Sequence, residues 1–409
     1  MKKGWQTKKI GDVCRLMTGG TPSKAKPEYF GGEIRWLVSG DIHQGEISDC
    51  EGRITEAGMR NSNAKLLPVN SVMIALNGQG KTRGTVALLR TRATCNQSLV
   101  SIYPNEPEKL LPEFLYANLH ARYQELRQMT GDSGNDRRGL NMGLIESIEI
   151  PIAPLPEQQR IVSILAESLG GIATAKSNAE ENLQNARAIF NSHLQSVFTH
   201  RGAGWAEELI GSICDVKHGF AFDGAQFSSD VPEGNPLVIT PGNFTEDGKL
   251  LFNGKNTKRF SGKPPAGFLF DVGDLVVVMT DLSSKMKILG KPAFVETDDV
   301  LHNQRIGRVV FLKDCLEKRL LYYFMMSDGF LRNIKASATG TMVKHTAPKR
   351  ILSNVISYPR NRKEQRAIVN KLDSLREETQ GLESIYRRKL AALEALKQSL
   401  LDSAFSALP

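Results

Sequence analysis

From Ile161 onward the apolar positions run Leu165, Leu169, Ile172, Ala175, Ala179, Leu183, Ala186, Phe190, Leu194 and Val197, in steps of three and four. That rhythm keeps them on one side of an α-helix and predicts a long amphipathic helix within residues 155–204. It returns at Ile368, Leu372, Leu375, Leu382, Tyr386, Leu390, Leu393, Leu396, Leu400 and Ala404, which predicts a second such helix within 361–409. At about 1.5 Å per residue either one reaches roughly 60 Å if unbroken. A stripe that long outruns the core of any one domain, so the two helices are expected to pack on each other as an antiparallel coiled coil. Gly170-Gly171 and Gly381 are the places where a kink is expected.

The two blocks that precede these helices read differently. Short apolar runs such as Ser71–Leu76 and Leu275–Met279 are bounded by Gly, Pro, Asn and Asp, the signature of buried strands. Leu110 to Met129 and Leu316 to Ile334 read as local helices, so each block is α+β.

The chain repeats itself. Glu157-Gln158-Gln159-Arg160-Ile161-Val162 matches Glu364-Gln365-Arg366-Ala367-Ile368-Val369 at an offset of 207, and that offset holds without a gap through Leu165/Leu372, Leu183/Leu390, Leu194/Leu401 and Phe198/Phe405. Gly4-Trp5 returns as Gly204-Trp205, Ile10-Gly11 as Ile210-Gly211, Cys14 as Cys214 and Asn96-Gln97 as Asn303-Gln304. The order is block (1–154), helix (155–204), block (205–360), helix (361–409). Between these anchors the blocks diverge almost completely, as expected of a shared scaffold with two different surfaces. Antiparallel helices would relate the repeats by a pseudo-twofold axis.

Composition narrows the class of protein. No apolar run in the 409 residues approaches a membrane span and no signal peptide follows Met1-Lys2-Lys3, so a soluble, cytoplasmic protein is expected. Cys14, Cys50, Cys95, Cys214 and Cys315 are too scattered for a disulfide framework or a Cys-x-x-Cys zinc pair and read as core residues. The net charge of +9 suits a polyanion. Bases outnumber acids by 20 to 16 in residues 1–154 and by 20 to 17 in 205–360, balance at four each in 155–204, and stand at nine to seven in 361–409. Both blocks thus carry a surplus of their own.

With that order in hand, the chain resembles the specificity subunits of Type I restriction-modification systems. The resemblance rests on Gly4-Trp5 with Ile10-Gly11, Thr18-Gly19-Gly20-Thr21-Pro22-Ser23, Gly31 to Leu37 with Gly40-Asp41-Ile42, Asn96-Gln97, and Pro154-Leu155-Pro156-Glu157-Gln158. The second half departs from it, with Arg360-Asn361-Arg362-Lys363 where Pro154 to Pro156 stands in the first. The resemblance implies two target recognition domains, each reading half of an asymmetric bipartite target in double-stranded DNA. It implies helices that hold the domains apart and dock two methyltransferase subunits, with restriction and translocase subunits joining through the complex. Leu165, Leu183, Phe190, Leu194, Leu372, Leu390, Leu393 and Leu400 are the candidate partner-binding residues on those helices. Two domains reading one face of B-DNA want centres about 34–36 Å apart, a spacing within the reach of such helices. A Type IIB-like recognition subunit is the alternative, which only neighbouring genes would separate.

Base readout needs Arg, Lys, Asn, Gln, Ser or Thr on loops that reach a groove. Gln79, Lys81, Thr82 and Arg83 follow an apolar strand in the first block; Thr280, Ser283, Ser284, Lys285 and Lys287 hold the same place in the second. Thr21, Ser23 and Lys24, then Arg137 and Arg138, and finally Thr341, Lys344 and His345 complete the DNA-contact candidates, each weighed against ordinary solvated surface. Asn96-Gln97 and Asn303-Gln304 are adenine-reading pairs by type, but a pair recurring in both blocks fits the scaffold better. Gly80-Lys81-Thr82 lacks the first glycine of a nucleotide-binding P-loop, because Ala75 occupies that place.

The sequence contains no Asn-Pro-Pro-Tyr-like methyltransferase tetrapeptide, no Gly-rich cofactor turn after a strand, and no metal or triad spacing among its seven histidines. Pro232-Glu233 with Asp247-Gly248-Lys249 is the nearest nuclease-like grouping, and its second half reads as an Asp-Gly hairpin turn. No catalytic residue, metal or cofactor is expected. A nuclease centre of unfamiliar form and a structural coiled-coil protein are the competing classes.

Overall fold

A computed structural model describes residues 4–405 except 79, 131–138, 201, 203 and 231, and the side chain of Phe227 is likewise not described. The chain divides into two compact units, residues 1–180 with 388–409 and residues 181–387. These do not coincide with the four sequence segments. Each unit takes one block plus a stretch of both long helices.

In the first unit β1 (Gln6–Lys9) leads into a single helical turn, α1 (Ile10–Val13), and β2 (Cys14–Thr18). There follow β3 (Phe30–Leu37), β4 (Glu46–Ile47), β5 (Arg53–Ile54) and α2 (Glu56–Arg60). The apolar core of the block comes next: β6 (Val72–Ala75), β7 (Val86–Leu89), β8 (Thr94–Cys95) and β9 (Leu99–Pro104). β6 and β7 are buried at every position, which is why they read as continuous apolar runs rather than alternating ones. The order β2-β9-β6-β7-β4 makes the main sheet and β5-β3-β8 a second one. Helices α3 (Pro112–Ala121), α4 (Tyr123–Gln128) and α5 (Met142–Glu146) precede β10 (Glu149–Ile152), which pairs with β1, and the chain then enters the long helix α6 (Leu155–Thr199).

The second unit repeats the plan. β11 (Trp205–Leu209), the turn α7 (Ile210–Ile213) and β12 (Cys214–His218) are followed by β13 (Phe227–Ser228), β14 (Leu237–Val238) and β15 (Arg259–Phe260). Then come β16 (Leu275–Val278), β17 (Thr280–Asp281), β18 (Pro292–Phe294), β19 (Val300–Leu301) and β20 (Ile306–Phe311). Its main sheet runs β12-β20-β16-β18, the order of β2-β9-β6-β7, and β15-β14-β19 mirrors β5-β3-β8 down to its one parallel pair. α8 (Lys318–Met326), α9 (Asp328–Ala336), β21 (Lys344–His345), α10 (Pro348–Leu352) and β22 (Val355–Pro359) lead to the second long helix, α11 (Arg362–Phe405). The topology is duplicated where the sequence no longer is.

Both long helices continue through their glycines, Gly170-Gly171 and Gly381; a glycine costs only about 1 kcal/mol of propensity, which packing of the apolar stripe offsets. Two expectations need adjustment. The helix expected over 110–129 is two helices that break at Arg122, and that over 316–334 breaks at Ser327. There the buried Ser327 hydroxyl accepts from the Phe330 amide at 3.4 Å and so starts α9 as a separate helix. The start of α11, which lacks the prolines of α6, is set by Asn361, whose side-chain oxygen accepts from the Lys363 amide at 2.9 Å.

The long helices run antiparallel within each unit. In the first, Ile161 and Leu165 of α6 share a core with Leu401 and Phe405 of α11, and further on Lys176 pairs with Glu394 at 3.6 Å. In the second, Leu194 shares a core with Val369 and Leu372, while the earlier Arg187 pairs with the later Glu383 at 2.9 Å.

One core residue is expected to weaken the second unit in acid. His302 is buried beside Phe270, its Nε2 donates to the Ile306 carbonyl at 2.8 Å, and burial pushes its pKa down to about 4. Unfolded, the same ring titrates near 6.5. Between those values the unfolded chain binds a proton that the folded one refuses. The contribution is therefore complete above about pH 6.5 and falls, by up to about 3 kcal/mol, as pH drops towards 4. Unfolding in urea at pH 7.5 and 4.5 should show this loss, and His302→Asn should shrink the difference between the two pH values; an unchanged difference would remove His302 as the cause.

Candidate nucleic-acid interface

The main sheets place two sets of loops in equivalent positions. In the first unit the chain leaves β6 into the loop 77–84. His43 and Thr82 side chains meet at 3.0 Å, the Tyr123 hydroxyl donates to the Lys81 carbonyl at 2.9 Å, and the Arg127 guanidinium lies over the Tyr123 ring and donates to the Gly80 carbonyl. α4 thus pins the loop backbone, which leaves the Lys81 side chain exposed and Thr82 half-buried. Gln79, Arg137 and Arg138 lie outside the described residues.

Thr21 sits elsewhere on the first unit, where its hydroxyl donates to Gln97 Oε1 at 2.8 Å. Both line a polar cavity of about 600 Å³ with Gly19, Gly20 and the run Arg60–Asn63. Sequence reasoning missed this run, because nothing in α2 links it to the Gly19-Gly20-Thr21 segment. Ser23 and Lys24 are exposed on the following turn. Much of the motif around them is scaffold: a Cβ on Gly19 would fall 1.7 Å from the Cys95 carbonyl oxygen, and the Trp36 indole donates to the Gly20 carbonyl at 2.9 Å.

In the second unit the structure joins two segments that were separate candidates. β17 and β21 form a two-stranded ribbon, with Thr280 opposite His345 and Asp281 opposite Lys344. Thr280 is buried and its hydroxyl meets His345 Nδ1 at 3.1 Å, so Thr280 positions the ribbon and does not present its side chain to a ligand. Beyond it Ser283, Ser284 and Lys285 are exposed, as is Thr341, while Lys344 is half-buried and donates to the Gly340 carbonyl at 2.7 Å. Lys287 is engaged by Glu246 at 2.7 Å, which holds the Glu246 carboxyl below its ordinary range and raises the lysine.

The recurring Asn pair belongs to the scaffold. Asn96 and Asn303 each accept from the amide two residues ahead, Ser98 at 2.9 Å and Arg305 at 3.0 Å, closing the same turn in both units. Asp247-Gly248 closes a turn between Thr245 and Lys249, as its spacing implied. Burial pushes the Cys14, Cys95 and Cys214 thiols up to about 12, so they remain protonated core groups. Among the described residues no three His, Cys, Asp or Glu side chains are placed to hold a metal ion, and no helix is long and apolar enough to cross a membrane.

The candidate docking residues on the helices divide by burial. Leu165, Leu194 and Leu372 are used up in the cores of their own units and are not accessible to another chain; Leu183, Phe190, Leu390, Leu393 and Leu400 are half-buried. The stripe read from the sequence is therefore largely the intramolecular seam. The large apolar residues of the helices that face solvent are Ile164 and Leu396 in the first unit and Ile189, Leu382 and Ile385 in the second.

Residues 2–182 match the family model described as Type I restriction modification DNA specificity domain. The chain is 22% identical over 415 residues to the MjaVIII specificity subunit of Methanocaldococcus jannaschii, which covers 97% of this chain and 91% of that one. The chain is thus similar, in one family-model domain and along nearly its whole length, to Type I restriction enzyme specificity subunits. It is also 30% identical over 163 residues to the EcoR124I/EcoR124II specificity subunit of Escherichia coli, a match spanning 39% of each chain. Its fold is shared with a chain from a solved type I R-M system, with a TM-score of 0.77 at 20% identity over 99% of this chain and 98% of the other. The fold expected from the resemblance, a duplicated α+β domain with a long helix between the copies, is the fold observed.

Proposed function

We propose that this chain is the non-catalytic DNA-reading subunit of a Type I restriction-modification complex. Each recognition domain reads one half of an asymmetric bipartite target in double-stranded DNA, and the long helices dock two methyltransferase subunits, through which restriction and translocase subunits join. The observation that carries the reading is one sheet order built twice with different loops on it: the glycine-rich loop 77–84, which carries Lys81 and Arg83, in one unit and the β17–β21 ribbon in the other. A duplicated frame with divergent polar loops is what two unlike half-sites call for, since phosphate contacts position a protein while base contacts specify. For the partner surface, exposure favours Ile164, Ile189, Leu382, Ile385 and Leu396 over the residues already spent in the seam.

The test is the salt dependence of DNA binding by the complex with its methyltransferase subunits. Lys81 and Lys285 are exposed on the reading loops. Replacing either by alanine should lower the slope of log K against log salt by about one. Salt-independent binding, or magnesium-dependent cleavage by the purified chain alone, would contradict it.

A further inference from the structure

The β17–β21 ribbon ends in two large apolar side chains held out in water. Leu282, directly after β17, is 61% exposed, and Met342, two residues before β21, is 79% exposed. Continuing the register of Asp281 opposite Lys344 brings both to the same open end of the ribbon, although 60 residues separate them in the chain. Neither belongs to any of the apolar cores, and large exposed apolar groups cost solubility.

Both supporting loops are ordered in advance. Asp281 is 3% exposed, and its carboxylate accepts from the Ser283 amide at 2.8 Å and the Ile288 amide at 2.9 Å, fixing the backbone that carries Leu282. Across from it Thr339 and His345 exchange two backbone hydrogen bonds, at 3.0 and 2.9 Å, and close the loop that carries Met342. Gly340 permits that closure: its φ is +95°, and a Cβ would fall 2.0 Å from the Val343 carbonyl oxygen. A tip held this way has already met much of the ordering cost of binding.

The surroundings indicate what the tip meets. Ser283, Ser284, Lys285 and Thr341 flank it, a cation and hydroxyls suited to phosphates and base edges. A two-stranded ribbon fits the major groove, and the one apolar group that bases present there is the thymine 5-methyl. We propose that Leu282 and Met342 form an apolar reading tip that packs on base edges in the major groove, with the thymine 5-methyl group as its ligand. This rests on the DNA-reading role argued above. The corresponding loop of the first unit, 77–84, has no large apolar residue, so the methyl readout belongs to the half-site read by residues 205–360.

The test replaces each thymine of that half-site in turn by uracil, which removes only the methyl, and measures binding by the complex with its methyltransferase subunits. At least one replacement should weaken binding about fourfold, the worth of one buried methyl-sized group. The Leu282→Ala/Met342→Ala double variant should bind the target more weakly and lose that sensitivity, whereas Lys285→Ala should keep it while the salt slope falls. Wild-type protein indifferent to every uracil, or a double variant as sensitive as wild type, overturns the proposal; so does a double variant that fails to assemble with the methyltransferase, since the tip would then be a protein contact. A Lys285→Ala variant with an unchanged salt slope would instead count against the DNA-reading role of the ribbon itself.

Discussion

Replacing Gln365 by alanine is expected to destabilise the second unit by about 3 kcal/mol or more, more than any loop substitution considered above. Its side chain is fully buried at the start of α11 and makes three hydrogen bonds to backbone: Oε1 accepts from the Glu317 amide at 2.7 Å, and Nε2 donates to the Cys315 carbonyl at 2.9 Å and the Pro359 carbonyl at 2.7 Å. The glutamine thereby joins the end of β22, the turn before α8 and the first turn of the long helix. Alanine would leave one amide and two carbonyls buried without that partner, at about 1–3 kcal/mol each. Gln158 makes the same three bonds in the first unit, to the Leu111 amide at 2.9 Å and the Lys109 and Ala153 carbonyls at 2.8 and 2.7 Å. Gln158→Ala should destabilise that unit to a similar degree. Urea unfolding of each variant checks both, and a loss below about 1 kcal/mol would show that water replaces the glutamine.

The second prediction follows from what those glutamines touch. The groups that each glutamine reaches in the domain are backbone ones, so this part of the junction between helix and domain does not depend on the side chains of the domain. Any domain that brings the same turn and strand end satisfies it. A recognition domain from a relative, joined at Pro154, should therefore seat on α6 with its own loops intact and bring its own half-site with it. The unexchanged domain would continue to read the other half. The expected effect is complete replacement of one side of the target.

How far the sequence discloses this structure depends on the range of the interaction. The long helices and buried strands are written in local periodicity: Leu165, Leu194 and Leu372 fall on the expected face and are buried. The same periodicity does not say what buries them, and these residues prove to pack within their own chain. Gln158 and Gln365 stand out in the sequence as repeat markers, yet their role becomes visible only when partners 47 and 48 residues away close around them. In the candidate DNA-contact loops, residue type was legible and placement was not. Thr280 and Lys285 look equally suited to DNA, but pairing with a strand more than 60 residues on buries the first and leaves the second exposed. Lys287 is taken up by Glu246 across a separation of 41 residues, and Leu282 and Met342 carry no signal until the ribbon places them at its end. Exposure would have found them; composition does not.

The most direct measurement is a genome-wide map of DNA methylation in a host carrying this chain with its methyltransferase subunit, set against a host carrying the methyltransferase alone. The account predicts a new asymmetric bipartite motif that requires the chain and changes on one side only when residues 1–154 are exchanged. Methylation that does not depend on the chain despite assembly of the complex, or an exchange that alters both sides of the motif together, would contradict it.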